Sequence, residues 1–171
     1  CILSVAGTPY KNILETLDAE LLLGDINATY DKGEVVIAAA NPDVMEEYIH
    51  EGDMVILGNR YESQLCAIEM NAACIIVCMG AKVSKTIQKL AQEHNCSIIV
   101  TPHDTFTVAR MINQSMPIKE FMTREHLVTF DIDDYVDDIK ETMSKIRHRD
   151  FPILDENGNY LGMVSRRCLL Y

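Results

Sequence analysis

The sequence predicts an α/β protein, a mainly parallel sheet with helices on both faces, followed by a small α+β unit. Three observations carry that prediction. Between residues 34 and 114, short continuous apolar runs alternate with amphipathic segments. Apolar runs without alternation belong to strands covered on both faces, as in parallel sheets built from βα units. The rhythm then breaks at Ser115-Met116-Pro117 and gives way to a strand–helix–strand–strand pattern. Finally, the chain has 171 residues and is 48% hydrophobic, enough for one ordinary core or two small ones and too apolar for general disorder.

Taken in order, Cys1 to Pro9 is an apolar lead-in without a definable element. Tyr10, Ile13, Leu14 and Leu17 recur at helical spacing. Ala19 to Leu23 reads as a strand and Gly24 to Gly33 as a loop. Glu34 to Ala40 is a buried-type strand, and Asn41-Pro42 opens a helix to about His50 with a capping side chain and proline in the first turn. Asp53 to Gly58 is a strand and Tyr61 to Asn71 a helix. Cys74 to Gly80 is the next strand, and Ser84 caps a helix through His94. Ser97 to Thr101 and then Thr105 to Gln114 complete the series. Beyond the boundary, His126 to Phe130 is a strand. Asp133-Asp134 starts a helix whose inner face is Val136, Ile139, Met143 and Ile146, with acids at its start and Lys145-Arg147 at its end to suit its dipole. Two strands follow, Phe151 to Leu154 and Tyr160 to Val164, joined by an Asn-Gly turn. The chain begins without Met and ends at Tyr171 in the opening of a helix, as a piece of a longer protein would.

Composition narrows the function. A formal net charge of -11 argues against a nucleic-acid partner, which requires a broad basic surface. No apolar run approaches the roughly 20 residues of a membrane span, and no signal-like start is present. The six cysteines sit in apolar segments, the usage expected of core thiols in a reducing cytoplasm. Cys74 and Cys78 lie four apart on one strand face, which favours packing over metal binding. His103-Asp104 has no nucleophile or third group near it in sequence, and Asp104 is better read as a helix cap. The aspartates between Asp131 and Asp138 lack the glycine and closing glutamate of a calcium loop. Phosphate-loop, zinc-protease and serine-hydrolase motifs are absent from the sequence.

Against this acidic background, Lys145 to Cys168 stands out. A basic knot (Lys145, Arg147, His148, Arg149) enters one strand, and Ser165-Arg166-Arg167 leaves the next. The hairpin brings both clusters to one region beside a serine hydroxyl. Guanidinium groups chelate phosphate oxygens bidentately, so a phosphate is the expected ligand. A solvated basic face is the plainer alternative.

Met116-Pro-Ile-Lys-Glu-Phe-Met-Thr123, the helix that follows, Phe151-Pro-Ile-Leu-Asp155, a glycine turn and Gly162-Met-Val-Ser165 together resemble one CBS motif. CBS motifs pair into modules that bind adenosine derivatives. In the family's Gly-x-x-Thr/Ser-x-x-Asp/Asn signature the last residue binds ribose, and here Cys168 stands in its place. Upstream, Gly58-Asn59-Arg60 and Gln64-Leu-Cys-Ala67 resemble the Gly-Asp-Arg and Gln-x-x-Ala pattern of a DRTGG domain, with Asn59 in place of the acid. The end of a parallel strand is also where ligands usually bind, but a rigid spacer or dimer interface is the favoured expectation for that segment over a ligand site. The resemblance divides the chain into a lead-in (1–9), a DRTGG-like α/β domain (10–115) and a CBS motif (116–171).

The combination looks like the regulatory insert of CBS-containing family II inorganic pyrophosphatases. It implies a non-catalytic region, working as a homodimer in a cytoplasmic enzyme. The upstream CBS motif and the manganese- or cobalt-dependent catalytic domains would then lie outside this chain. AMP and ADP would inhibit; ATP or diadenosine polyphosphates would activate. The implied phosphate contacts are Arg147, His148, Arg149, Ser165 and Arg167. Phe151, Pro152, Val128 and Thr129 would wall the adenine, and Met122 and Thr123 would line the other edge. Two further readings stay open: a structural homodimerisation module without ligand, and a fragment of a DRTGG-containing acyl-phosphate or kinase-type enzyme.

Overall fold

The computed structural model describes residues 5–169. These fall into two compact units that divide between Phe121 and Met122. The first four residues of the expected lead-in, and Leu170 and Tyr171 at the end of the expected CBS motif, lie outside the described residues.

The first unit is built on a five-stranded sheet. In chain order its elements are β1 (Thr8–Pro9), α1 (Tyr10–Thr16), β2 (Glu20–Leu23), β3 (Thr29–Tyr30), β4 (Val35–Ile37), α2 (Pro42–Tyr48), β5 (Met54–Leu57), α3 (Tyr61–Glu69), β6 (Cys74–Val77), α4 (Lys85–Glu93), β7 (Ser97–Val100) and α5 (Thr105–Met111). The strand order is β2-β7-β6-β5-β4, with β4 to β7 parallel and β2 antiparallel at one edge. Side-chain alternation along the strands divides the core in two. Met54, Ile56, Cys74, Ile76 and Ile99 pack with Tyr10, Ile13 and Leu17 of the α1 segment and Val108 of α5. Val55, Leu57, Ile75, Val77 and Ile98 pack on the other face with Met45, Ala67, Ile68, Ile87 and Ala91 from α2, α3 and α4. Four consecutive buried residues in both β5 and β6 explain why these strands read as unbroken apolar runs.

Several expectations need correction. Part of the lead-in is structured: β1 pairs antiparallel with β3, inside the segment read as a loop, and Val5 is buried. The strand expected from Glu34 to Ala40 is only β4, at the sheet edge, where Ile37 is exposed. Asn41 makes no side-chain capping bond, so Pro42 alone marks the start of α2. Ser84 and Asp104 do cap, accepting from the backbone N–H of Ile87 at 3.2 Å and of Thr107 at 2.8 Å. The last helix of the unit ends early, and Ile112–Ser115 continues it as a 3-10 turn.

The second unit contains β8 (Phe130–Asp131), α6 (Val136–Lys145), β9 (Asp150–Leu154), β10 (Tyr160–Ser165) and α7 (Arg166–Leu169). Its sheet runs β10-β9-β8, with β9 antiparallel to β10 and parallel to β8. Pro152 lies in the middle strand and has no N–H to give, and the β8 ladder begins one residue later, at Ile153. The strand expected from His126 is therefore only two residues long. Ile139 and Met143 of α6 face the core, whereas Val136 is exposed, outside the inner face assigned to it. The hairpin turn is organised by Asp155, whose carboxylate accepts from the backbone N–H groups of Asn157 and Asn159. Gly158 supplies the left-handed residue, with φ 78°.

A basic cleft at the base of the hairpin

The antiparallel register of β9 and β10 sets Ser165 opposite Asp150 and Val164 opposite Phe151. This brings the end of one strand to the start of the other. An open cleft of about 680 Å³ lies there, lined by Arg149, Asp150, Ser165, Arg166 and Arg167. Arg149 and Arg167 are exposed and Ser165 is half-buried, so three of the expected phosphate residues share one concave surface.

The other cations have different duties. Lys145 pairs with Glu141 one turn back, at 2.6 Å, and leaves the basic knot. Arg147 is exposed but does not line the cleft. The His148 ring packs 6.0 Å from the Phe151 ring, and its carbonyl accepts from Arg166 Nε at 2.9 Å. Arg166 also donates through Nη2 to the carbonyls of Met143 and Ile146 at the end of α6. The sequence places Arg166 in the basic cluster, but its contacts with these carbonyls are not legible from residue type.

Cys168 sits one turn into α7, exposed, with Sγ 3.2 Å from Ser165 Oγ. That hydrogen bond, then the Ser165 backbone and the charge of Arg167, hold the thiol below its ordinary range. The hydroxyl expected to meet phosphate is thus already engaged with the neighbouring sulfur, a contact that a phosphate oxygen would have to replace.

The expected adenine wall is only partly in place. Phe151 is fully buried, packed against the Phe130 ring at 5.3 Å between centroids. It is a core residue and presents no face to a ligand, because the strand alternation that exposes Asp150 turns Phe151 inward. Met122, Thr123 and Thr129 are exposed and Val128 and Pro152 are half-buried, but none of them lines the cleft.

In the first unit, the expected motif residues do structural work. Gln64 is buried in α3 and reaches back to donate to the Gly58 carbonyl at 3.0 Å, which closes the loop carrying exposed Asn59 and Arg60. His103 meets Asp18 at 3.2 Å instead of Asp104, whose carboxylate is taken by Thr107. Cys74 and Cys78 lie in one core cluster, where burial raises the Cys74 thiol and pushes that of Cys78 up to about 11. Among the described residues, no group of three or more His, Cys, Asp or Glu side chains is placed to hold a metal ion. No helix among them is long and apolar enough to cross a membrane.

An α/β domain with a glutamine-closed loop, followed by a half-module with a basic cleft, defines a DRTGG domain joined to a CBS motif. The sequence profile of the DRTGG domain matches residues 12–115, and that of the CBS domain matches residues 118–171. The chain belongs to the DRTGG family, and its two domains together match the regulatory region of CBS-containing pyrophosphatases. A cobalt-dependent inorganic pyrophosphatase of Clostridium perfringens is 41% identical over 99% of this chain and 31% of that protein. A probable manganese-dependent inorganic pyrophosphatase of Thermotoga maritima is 28% identical over 98% of this chain and 30% of that protein. The chain therefore spans about a third of the length of these curated relatives. It is also similar to the crystal structure of the CBS and DRTGG domains of the regulatory region of the Clostridium perfringens pyrophosphatase, complexed with the activator diadenosine tetraphosphate. That likeness has a TM-score of 0.75 and 40% identity, and covers 94% of this chain and 70% of the other.

Proposed function

We propose that this chain is the nucleotide-sensing regulatory region of a cytoplasmic inorganic pyrophosphatase that uses manganese or cobalt. Adenine nucleotides bind at the basic cleft, AMP and ADP lowering turnover and ATP or a diadenosine polyphosphate raising it. The observation that carries this reading is the convergence of Arg149, Ser165 and Arg167 on one open cleft in a chain of net charge -11. A guanidinium pair over a concave surface is the arrangement that chelates phosphate oxygens. The related regulatory region that binds diadenosine tetraphosphate supports an adenine dinucleotide as one such ligand.

In this reading Arg149, Arg167 and Ser165 hold phosphate, and Arg147 and His148 extend the rim toward longer phosphate chains. The base lies toward Met122, Thr123, Val128, Thr129 and Pro152. Two copies of the chain pair as a homodimer, and the parent protein's upstream CBS motif completes the module. Ligands that differ in phosphate number favour different positions of the paired motifs, and only such a difference in affinity can shift an equilibrium. The helix that begins at Arg166 carries the shift toward the catalytic domains.

The test is calorimetric titration of this chain with AMP, with Arg149→Ala in parallel. The expected result is micromolar binding, weakened tenfold or more by the substitution, about 1.4 kcal/mol. No binding by a folded dimer would favour a structural dimerisation module, unless a longer chain with the upstream CBS motif restores it. Hydrolysis of pyrophosphate or acetyl phosphate by this chain alone would favour the enzyme reading instead.

A further inference from the structure

We infer that Arg166 is a positioning residue for the phosphate rim, acting through the segment that ends α6 and not by holding phosphate itself. The inference rests on the nucleotide reading of the cleft. A helix leaves its last carbonyls without intrahelical partners, and they must be satisfied from elsewhere. Helix α6 turns into extended backbone at Ile146, and the next three residues are Arg147, His148 and Arg149. One guanidinium serves this whole stretch. Arg166 Nη2 donates to the carbonyls of Met143 and Ile146, and Nε donates to that of His148 at 2.9 Å. The Arg166 backbone N–H donates to the Arg149 carbonyl at 3.1 Å. The first residue of α7 thus pins four carbonyls across the end of α6 and the basic segment.

Arg166 lines the cleft and is half-buried, unlike its exposed neighbours Arg149 and Arg167. Its donors on Nε and Nη2 point into the protein. The planar fork matters here, because a lysine ammonium at the same place is a point charge that cannot span three carbonyls. Arg166 therefore fixes where the rim residues stand, while Arg149 and Arg167 supply the charge that meets the ligand. Since Arg166 also opens α7, the brace links the rim to the start of the outgoing helix.

Two substitutions separate the roles, each read by AMP titration and by backbone amide exchange of the unliganded chain. Arg166→Lys keeps the charge and removes the fork. The expected result is faster exchange across residues 143–149, unchanged protection of β5 and β6, and AMP affinity at least tenfold lower. Arg149→Ala is expected to lower the affinity while leaving exchange in 143–149 as in the wild type. If Arg166→Lys leaves exchange unchanged but lowers the affinity, Arg166 is a phosphate ligand and the inference is overturned. Wild-type affinity in Arg166→Lys overturns it as well. Failure to bind AMP both by the wild-type chain and by a longer chain that carries the upstream CBS motif is a different outcome. It removes the nucleotide reading and, with it, the rim role of Arg166.

Discussion

In the DRTGG unit, β5 and β6 are buried along their whole length and each sheet face carries its own packed layer. In the CBS unit, the buried side chains among the described residues are Phe130, Ile139, Met143 and Phe151. Large apolar side chains there remain exposed, including Ile132, Tyr135 and Val136 before and at the start of α6, and Leu161 and Met163 on β10. A unit of this size buries too small a fraction of its surface to be secure alone. In the proposed dimer a second copy would cover exposed apolar side chains of this kind. The difference teaches where change is affordable: the first unit is held by two core layers, whereas the second has a thin core and leaves its cleft and much apolar surface exposed.

The largest effect should come from the thin core. Phe151→Ala removes a fully buried ring packed against Phe130, a change that typically costs about 3–5 kcal/mol. For so small a unit, at roughly 0.05–0.15 kcal/mol per residue, that is most of its stability. Amide exchange should show β9 and β10 unprotected while β5 and β6 stay protected. Loss of protection in both units together would break the distinction drawn between them.

A glycine tests the first unit with comparable force. Gly33 has φ 120°, and a Cβ there would lie 2.2 Å from the Gly52 carbonyl oxygen. Backbone cannot give way as a flexible side chain does. Gly33→Ala should therefore cost about 2–4 kcal/mol through strain and overpacking. Because two core layers remain, the unit should still unfold cooperatively, at a lower denaturant concentration with an unchanged slope.

The same contrast explains what the sequence made legible. Strands covered on both faces leave unbroken apolar runs, so β5, β6 and β7 were readable from residue type alone. β4 was read as a strand but as longer and more buried than its edge position allows, and the β1–β3 pair was not read, because its runs are short and its register depends on distant partners. The cleft was legible through its charges, since the hairpin turn forces the two clusters together. Which arginine faces the ligand was not. Arg166 and Arg167 are indistinguishable by type, and only the position of the α6 carbonyls gives Arg166 its inward task. Phe151 failed as an adenine wall for a similar reason, because strand pleat decides its direction and the aromatic ring suits either side.

Capping offers a smaller probe of the well-packed unit. Ser84→Ala deletes the acceptor for the Ile87 N–H, and such losses are typically about 1 kcal/mol. The denaturation midpoint should move slightly, with protection reduced only in the first turn of α4. A global loss of protection would mean that the first unit is less secure than its two core layers imply.

Acid should separate the units most gently. In the CBS unit, the Asp155 carboxyl is held below the ordinary aspartate range by Asn159, side chain first and then backbone. The Glu141 carboxyl is lowered by its bond to Lys145. In the DRTGG unit, Asp104 is lowered by the Thr107 backbone N–H and then its hydroxyl. Each folded-state pKa lies below the unfolded value, so each contribution is complete above the ordinary carboxylate range and is lost as pH falls through the folded value. Two such contributions sit on the unit with the thinner core. Exchange measured as pH drops from about 6 to about 3 should therefore show β9 and β10 losing protection before β5 and β6. Asp155→Asn keeps one oxygen acceptor but no charge, so it should lower the protection of β9 and β10 at the neutral end, leave the acid end unchanged and thus flatten their loss of protection with falling pH. A pH dependence of β9 and β10 that Asp155→Asn does not alter would assign the acid sensitivity to the core and not to the turn.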